Sequence, residues 1–305
     1  MLGGTHRYVF ICGLHRSGTS LITRCLIEHP QIGGFRNTGA IEDEGQYLQT
    51  VMPLETVYGG AGRFGFDPHA HLTEASPLNT PSNARKLLSE WHQNWDLTKP
   101  VLVEKTPSNL LRTRLLARLV EPSYFVIVTR HPVAVSLATS KWTEGNLFSL
   151  LSHWRHCYQI AKADSAKLPR VIWTSYEDFV AQPQTEMKRI LDFVGLASGG
   201  MPQLSLRNEN EKYFAQWSQL WGNGDRAIRQ PHPEHYRSLV TRFRERIARE
   251  LTEKSLPASR RKANLGMSHD ALDAAALFEK DIKEFGYSFH DLHKHRRAKA
   301  TDVQA

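Results

Sequence analysis

The stretch YVFICGLHRSGTSLI, Tyr8 to Ile22, decides the fold. Tyr8–Cys12 is apolar at nearly every position, the pattern of a strand covered on both faces. Gly13 and Gly18 then keep the spacing of GxxxxGK[ST], and helical periodicity takes over from Thr19 to His29. A turn placed between strand and helix aims backbone N–H groups and a helix N-terminus at an anion. Arg16 adds a charged fork, and Ser17, Thr19 and Ser20 add hydroxyl donors. A glycine turn without a ligand is the plain alternative. Thr19 stands where the phosphate-loop motif has its Lys.

Working outward, three more short apolar runs predict strands: Val101–Glu104, Tyr124–Thr129 and Val171–Thr174. Helical patterns lie between and after them, over Ser82–Trp95, Ser108–Val120, Pro132–Lys141, Leu147–Ala166 and Pro183–Val194. Such alternation predicts a parallel sheet flanked by helices, the P-loop NTPase-like α/β class. Beyond residue 230 the pattern is helical only, over about 232–251 and 270–285, a C-terminal extension. Residues 30 to 80 show no strand signal and are rich in Gly, yet Phe35, Tyr47, Tyr58, Phe64 and Phe66 argue against disorder. That segment, from 35 to 80, reads as a structured substrate-side loop region. The expected organisation is one α/β domain over residues 1–290 and a basic, disordered tail over 291–305.

The 305 residues, 40% hydrophobic and 23% charged, exclude a wholly disordered or fibrous chain. Cys12, Cys25 and Cys157 cannot all pair and form no CxxC, which points to a reducing, cytoplasmic setting and against a thiolate zinc site. No apolar run is long enough for a signal peptide or a membrane span. The net charge of +8 sits unevenly: residues 1–150 carry 14 basic and 12 acidic side chains, residues 221–305 carry 17 and 12. In the Arg242–Arg249 run, Glu245 and Glu250 interleave at helical spacing, as on a solvated face. The basic clusters are not interleaved with aromatic residues as a stacking platform requires, Phe243 standing alone in the Arg242–Arg249 run, so nucleic acid is not the expected partner.

A Walker-type kinase or ATPase holds Mg²⁺ with an Asp ending a neighbouring strand. Here the strand Tyr124–Thr129 runs into Arg130, and the strand ending in Glu104 runs into Lys105. The site therefore pairs an anion cradle with extra cations, which suits a phosphate-bearing donor activated without a metal.

GLHRSGTSLI resembles the 5′-phosphosulfate loop of sulfotransferases that use 3′-phosphoadenosine 5′-phosphosulfate (PAPS). VTRHPVAVSLATSKW is similar to their 3′-phosphate segment, SYEDFVAQP with MKRILDFVGL to a later segment, and FGYSF (Phe285–Phe289) to a common chain ending. The four stretches stand in family order, in the style of bacterial cytosolic sulfotransferases. The resemblance implies that Arg16, Ser17, Gly18, Thr19 and Ser20 hold the 5′-phosphosulfate and that Arg130 binds the 3′-phosphate. It also implies that Tyr176 lies near the adenine, although a Tyr closing a strand is as often core. Ala138 stands where the family has a Ser; Thr139, one step round the helix, is the expected substitute, with Ser140 next.

Sulfuryl transfer needs in-line positioning, charge stabilisation on the bridging oxygen and a base for the acceptor proton. Lys105 matches the Lys that the family sets near the leaving oxygen. The His that follows it in animal cytosolic members is missing, since Lys105-Thr106 runs into Pro107. The acids Glu42-Asp43-Glu44 are the expected source of a base, Glu44 first and Glu42 second, on the argument that adjacent acids raise one another's pKa. Acids stabilising a helix N-terminus are the alternative. His15, inside the loop, is a further candidate base. His69 and His71 could line the acceptor side; two His without a third ligand make a poor metal site. The function implied is transfer of a sulfuryl group from PAPS to a hydroxyl or amine of a small-molecule, lipid or glycan acceptor. The competing readings are a degenerate P-loop kinase or ATPase using Mg-ATP, and a non-catalytic nucleotide-binding protein.

Overall fold

The computed structural model describes residues 6–143, 145–197, 199, 203–221 and 267–295. Five parallel strands make one sheet: β1 (Arg7–Cys12), β2 (Ile32–Gly34), β3 (Val101–Lys105), β4 (Ser123–Thr129) and β5 (Val171–Ser175), in the order β2-β3-β1-β4-β5. β1 lies between β3 and β4, with Phe10 opposite Glu104 on one side and Phe125 on the other. The chain reverses its direction of progress across the sheet at β1. The crevice beyond the carboxyl ends of β3, β1 and β4 is where open α/β sheets hold ligands.

The strands are apolar throughout because both faces are covered. Val9, Ile11, Val101, Val103, Val126, Val128 and Ile172 face a core closed by α1 (Thr19–Leu26) and by a helix over Pro183–Phe193. Tyr8, Phe10, Leu102, Phe125, Ile127 and Val171 face the opposite, larger core. That core takes in α2 (Pro81–His92), α3 (Thr113–Leu119), α4 (Pro132–Thr139) and the long α5 (Leu147–Ser165). A short α6 (Tyr176–Ala181) starts directly after β5, and the Pro183–Phe193 helix is α7. α8 (Glu211–Trp221) and α9 (Met267–Lys283) complete the described helices, with Ala274, Ala275, Phe278 and Ile282 of α9 buried in the larger core.

Three points differ from the sequence expectation. The region after α1 does contain a strand, β2, three residues long with two glycines; its extended form comes from pairing Ile32, Gly33 and Gly34 with Val101, Leu102 and Val103. A Cβ on Gly34 would stand 2.4 Å from Ile27 Cγ2, so a residue without β propensity is the one that fits this edge. The helix expected over Ser108–Val120 is a 3₁₀ turn, Pro107–Leu111, followed by α3. α8 was not foreseen. The expected helix at 232–251, the Arg242–Arg249 run and the last ten residues of the tail lie outside the described residues. No described helix is long and apolar enough to cross a membrane.

Candidate active site

The loop Gly13–Ser20 turns tightly between β1 and α1. Arg16 (φ 65°) and Gly18 (φ 101°) adopt left-handed backbone conformations. Gly18 has a second reason to be glycine: a Cβ there would lie 2.8 Å from Tyr176 Cδ2. No side chain caps α1, so its first N–H groups are left for a ligand, while Ser17 N donates to Leu14 O within the turn. Ser17 is fully buried, Thr19 nearly so, Ser20 half-buried, and Arg16 exposed with its guanidinium 4.8 Å from the Trp142 ring. Trp142 is itself 59% exposed, so the pair stands at the mouth of the site.

Arg130, at the end of β4, is drawn to this loop. Its Nη1 donates to Arg16 O at 2.9 Å, its Nε donates to Asn210 Oδ1 at 2.8 Å, and its guanidinium lies 4.0 Å from the Tyr176 ring. Burial lowers its pKa from the ordinary arginine value. Nη2 is buried and has no hydrogen-bond partner, a guanidinium edge without an acceptor. Behind it, Glu177 accepts from His131 N, Asn210 Nδ2 and Tyr287 Oη at 3.0, 2.7 and 2.9 Å. Asn210, Glu177 and Tyr287 were missed by the sequence reading. FGYSF contains Tyr287, but nothing in the spacing shows that its hydroxyl reaches Thr129 and Glu177.

Tyr176 packs between the loop and Arg130. It is buried, and its ring touches the loop at Gly18 and the face of Arg130. Its hydroxyl accepts from Glu209 N and donates to Arg207 O.

Lys105, at the end of β3, is buried and donates to Glu44 Oε1 at 2.8 Å; Glu44 Oε2 accepts from Gln46 Nε2 at 2.7 Å. Glu44 is delivered there by Gly45, whose N–H donates to Glu104 Oε1 at 3.0 Å. A Cβ on Gly45 would sit 2.6 Å from that oxygen, so only glycine allows the approach. The three adjacent acids do not form a cluster, which corrects the expectation of mutual pKa raising. Glu42 has a left-handed backbone and is exposed. Asp43 turns to Thr38, whose hydroxyl and N–H hold its carboxyl below the usual range. The acid that is raised is Glu104, pushed up to about 7 by complete burial despite its bond from Thr106.

Thr139 is brought to a different place from Arg130. Its Oγ1 is buried without a partner in a recess of about 10 Å³ that it shares with His15, Ser136 and Gly62. Ser140 donates to Leu137 O within its own helix. His15 is tied to the substrate-side region, with Nε2 2.8 Å from Glu55 Oε1. His69 pairs with Asp67 and His71 with the buried Asp164. A cavity of about 500 Å³ adjoins the site, lined among others by Ser20 and Thr23 of α1, Glu42 and Lys105.

Loop, Arg130 and Lys105 thus present three cations and a bare helix N-terminus to one crevice, with a carboxylate held against the lysine. The solved structures similar to this chain include the sulfotransferase domain from the curacin biosynthetic pathway, at 16% identity and TM-score 0.44, covering 83% of this chain and 99% of that one. A sulfotransferase from Alicyclobacillus acidocaldarius follows at 15% and 0.39, covering 83% and 98%. A mouse sulfotransferase complexed with PAP stands at 12% and 0.36, covering 82% and 89%. The profile of the sulfotransferase family matches residues 8–198, from β1 through the end of α7, well over half of the sequence. On that match this chain belongs to the sulfotransferase family.

Proposed function

We propose that the protein transfers a sulfuryl group from PAPS to a hydroxyl or amine of a small-molecule, lipid or glycan acceptor. The observation that carries the reading is the buried Arg130, whose unpartnered Nη2 stands beside an uncapped phosphate loop. An orphaned guanidinium edge and free N–H groups fit a ligand with two separate anionic groups, as PAPS has. When bound, PAPS supplies an activated sulfuryl group: an acceptor oxygen or nitrogen bonds to sulfur, the sulfur–oxygen bond to the phosphate breaks with its electron pair on the phosphate, and the acceptor loses a proton.

Arg16, Ser17, Gly18, Thr19 and Ser20 hold the 5′ end, Arg130 the 3′-phosphate, and Tyr176 backs Arg130 beside the nucleoside. Lys105 neutralises charge on the leaving oxygen. As Lys105 turns toward that oxygen, Glu44 Oε1 gives up its ion pair and takes the acceptor proton, with Gln46 fixing the other oxygen. Glu42 borders the acceptor side. The three free, buried cysteines support work in a reducing, cytoplasmic compartment.

Thermal unfolding in the presence of PAPS, the product bisphosphate PAP, or ATP with Mg²⁺ tests the reading. At a hundredfold excess over Kd, PAP adds about 2.7 kcal/mol of stability. Stabilisation by ATP with Mg²⁺ alone would overturn it in favour of a kinase-like enzyme.

A further inference from the structure

The cavity of about 500 Å³ has the size of a small-molecule site, and its position relative to the donor groups is informative. Lys105 and Ser20 belong to its lining. Arg130 and Tyr176 are not part of its lining, so it runs from the loop toward β3 and β2, while the nucleotide groups lie toward β4 and β5. A molecule in it would meet the sulfuryl end of the donor from the side opposite the nucleoside.

Its walls are hydrophilic, and their charges cancel locally. Arg36 is paired with Glu28 at 2.8 Å, Lys105 with Glu44 at 2.8 Å, and Asp43 accepts from Thr38 and from Asn37 N. The groups left over are Arg24, Glu42, the Asn37 amide and the hydroxyls of Ser20 and Thr23, none with a side-chain hydrogen bond or ion pair among the described residues. Thr23 Oγ1 is buried and unpartnered. One free cation and one free anion impose no net charge on an occupant, but together these groups offer donors and acceptors at several points. A flat phenol or a steroid would displace their water without replacing its hydrogen bonds. A ligand with many hydroxyls, each both donor and acceptor, satisfies them.

Resting on the sulfotransferase reading above, we infer that this cavity is the acceptor subsite and that the acceptor is a neutral sugar, read by Arg24, Asn37 and Glu42. The transferred group goes to a sugar hydroxyl directed at Lys105. The sugar can come free or as the headgroup of a lipid; the recognised chemistry is the same.

Saturation-transfer NMR on the PAP-bound protein tests this with methyl hexosides, octyl hexosides, 4-nitrophenol and 2-phenylethylamine as probes. The hexosides should bind, and each of Arg24→Ala and Glu42→Gln should weaken them about tenfold, near 1.4 kcal/mol, with PAP affinity unchanged. Equal binding of methyl and octyl hexosides means that the sugar alone is read; tighter octyl binding points to a glycolipid headgroup, and both support the inference. Hexosides that fail to bind, probes of the aromatic kind binding in their place, or hexoside binding indifferent to both substitutions would overturn it. Loss of PAP binding itself by the unmodified protein would instead sink the underlying reading.

Discussion

Arg130 is the residue on which donor recognition turns. Its Nε and Nη1 are spent on Asn210 and Arg16 O, so the partnerless Nη2 is the edge that discriminates. Arg130→Ala should weaken PAP by about 2–3 kcal/mol, the scale of a charge-assisted bond, and barely change the affinity of adenosine 5′-phosphate, which lacks the 3′-phosphate. Calorimetric titration of the two ligands checks this, and equal losses would refute the role. Glu104 makes a second residue-scale prediction. Burial raises its carboxyl from the ordinary 4.5 to about 7, so the folded state keeps a proton that the unfolded state releases. Stability is therefore greatest below about pH 4.5 on this account, declines as pH rises to about 7, and is level beyond. The share at stake is at most about 3 kcal/mol. Glu104→Gln should flatten that decline in urea unfolding measured between pH 5 and 8; an unchanged slope would show that Glu104 is ionised throughout.

Among the elements, the legible ones were those whose sequence carries their own cause. Buried strands β1, β3, β4 and β5 announce themselves by unbroken apolar runs, and the loop by its glycines and hydroxyls. β2 was illegible because Ile32-Gly33-Gly34 becomes extended only through its partner β3. The acids at 42–44 misled for the same reason: adjacency in sequence suggested a shared field, but the left-handed turns at Glu42 and Asp43 send the three carboxyls to solvent, to Thr38 and to Lys105. α8 was missed although its first turn matters to the site. Asn210 accepts from Tyr213 N and Phe214 N with its backbone oxygen, starting the helix, while its side chain bridges Arg130 and Glu177. Asn210→Ala should leave Arg130 Nε unpaired and Glu177 Oε1 with His131 N as its remaining donor, weaken PAP about tenfold and lower stability by about 1–3 kcal/mol. Titration with PAP and urea unfolding of the same variant measure both; intact PAP affinity would separate α8 from the site.

At the scale of the molecule, the donor site is closed by parts of the chain far apart in sequence. Tyr287, near the end of the described chain, is fully buried against His131 and Trp154, and its hydroxyl reaches both Thr129 Oγ1 at 3.1 Å and Glu177 Oε2 at 2.9 Å. Glu177 holds Asn210, Asn210 holds Arg130, and Arg130 holds the loop through Arg16 O. The sequence resemblance located FGYSF as a chain ending but gave no hint of this path, since contacts between residues 33 to 114 positions apart have to form before it exists. The path has a measurable consequence. Tyr287→Phe keeps the ring and its packing but removes one hydrogen bond from Glu177, a cost of about 1–3 kcal/mol for a buried carboxylate left short of a donor. Glu177 then leans more on Asn210 and His131 N, and Arg130 is held less firmly at the loop. The expected outcome is a lower urea midpoint together with a several-fold weaker PAP affinity, while a control at the same core, Phe285→Leu, lowers stability and leaves PAP affinity unchanged. If both variants lose stability and neither loses affinity, the C-terminal segment is packing alone, and Arg130 is positioned from its own end of the sheet.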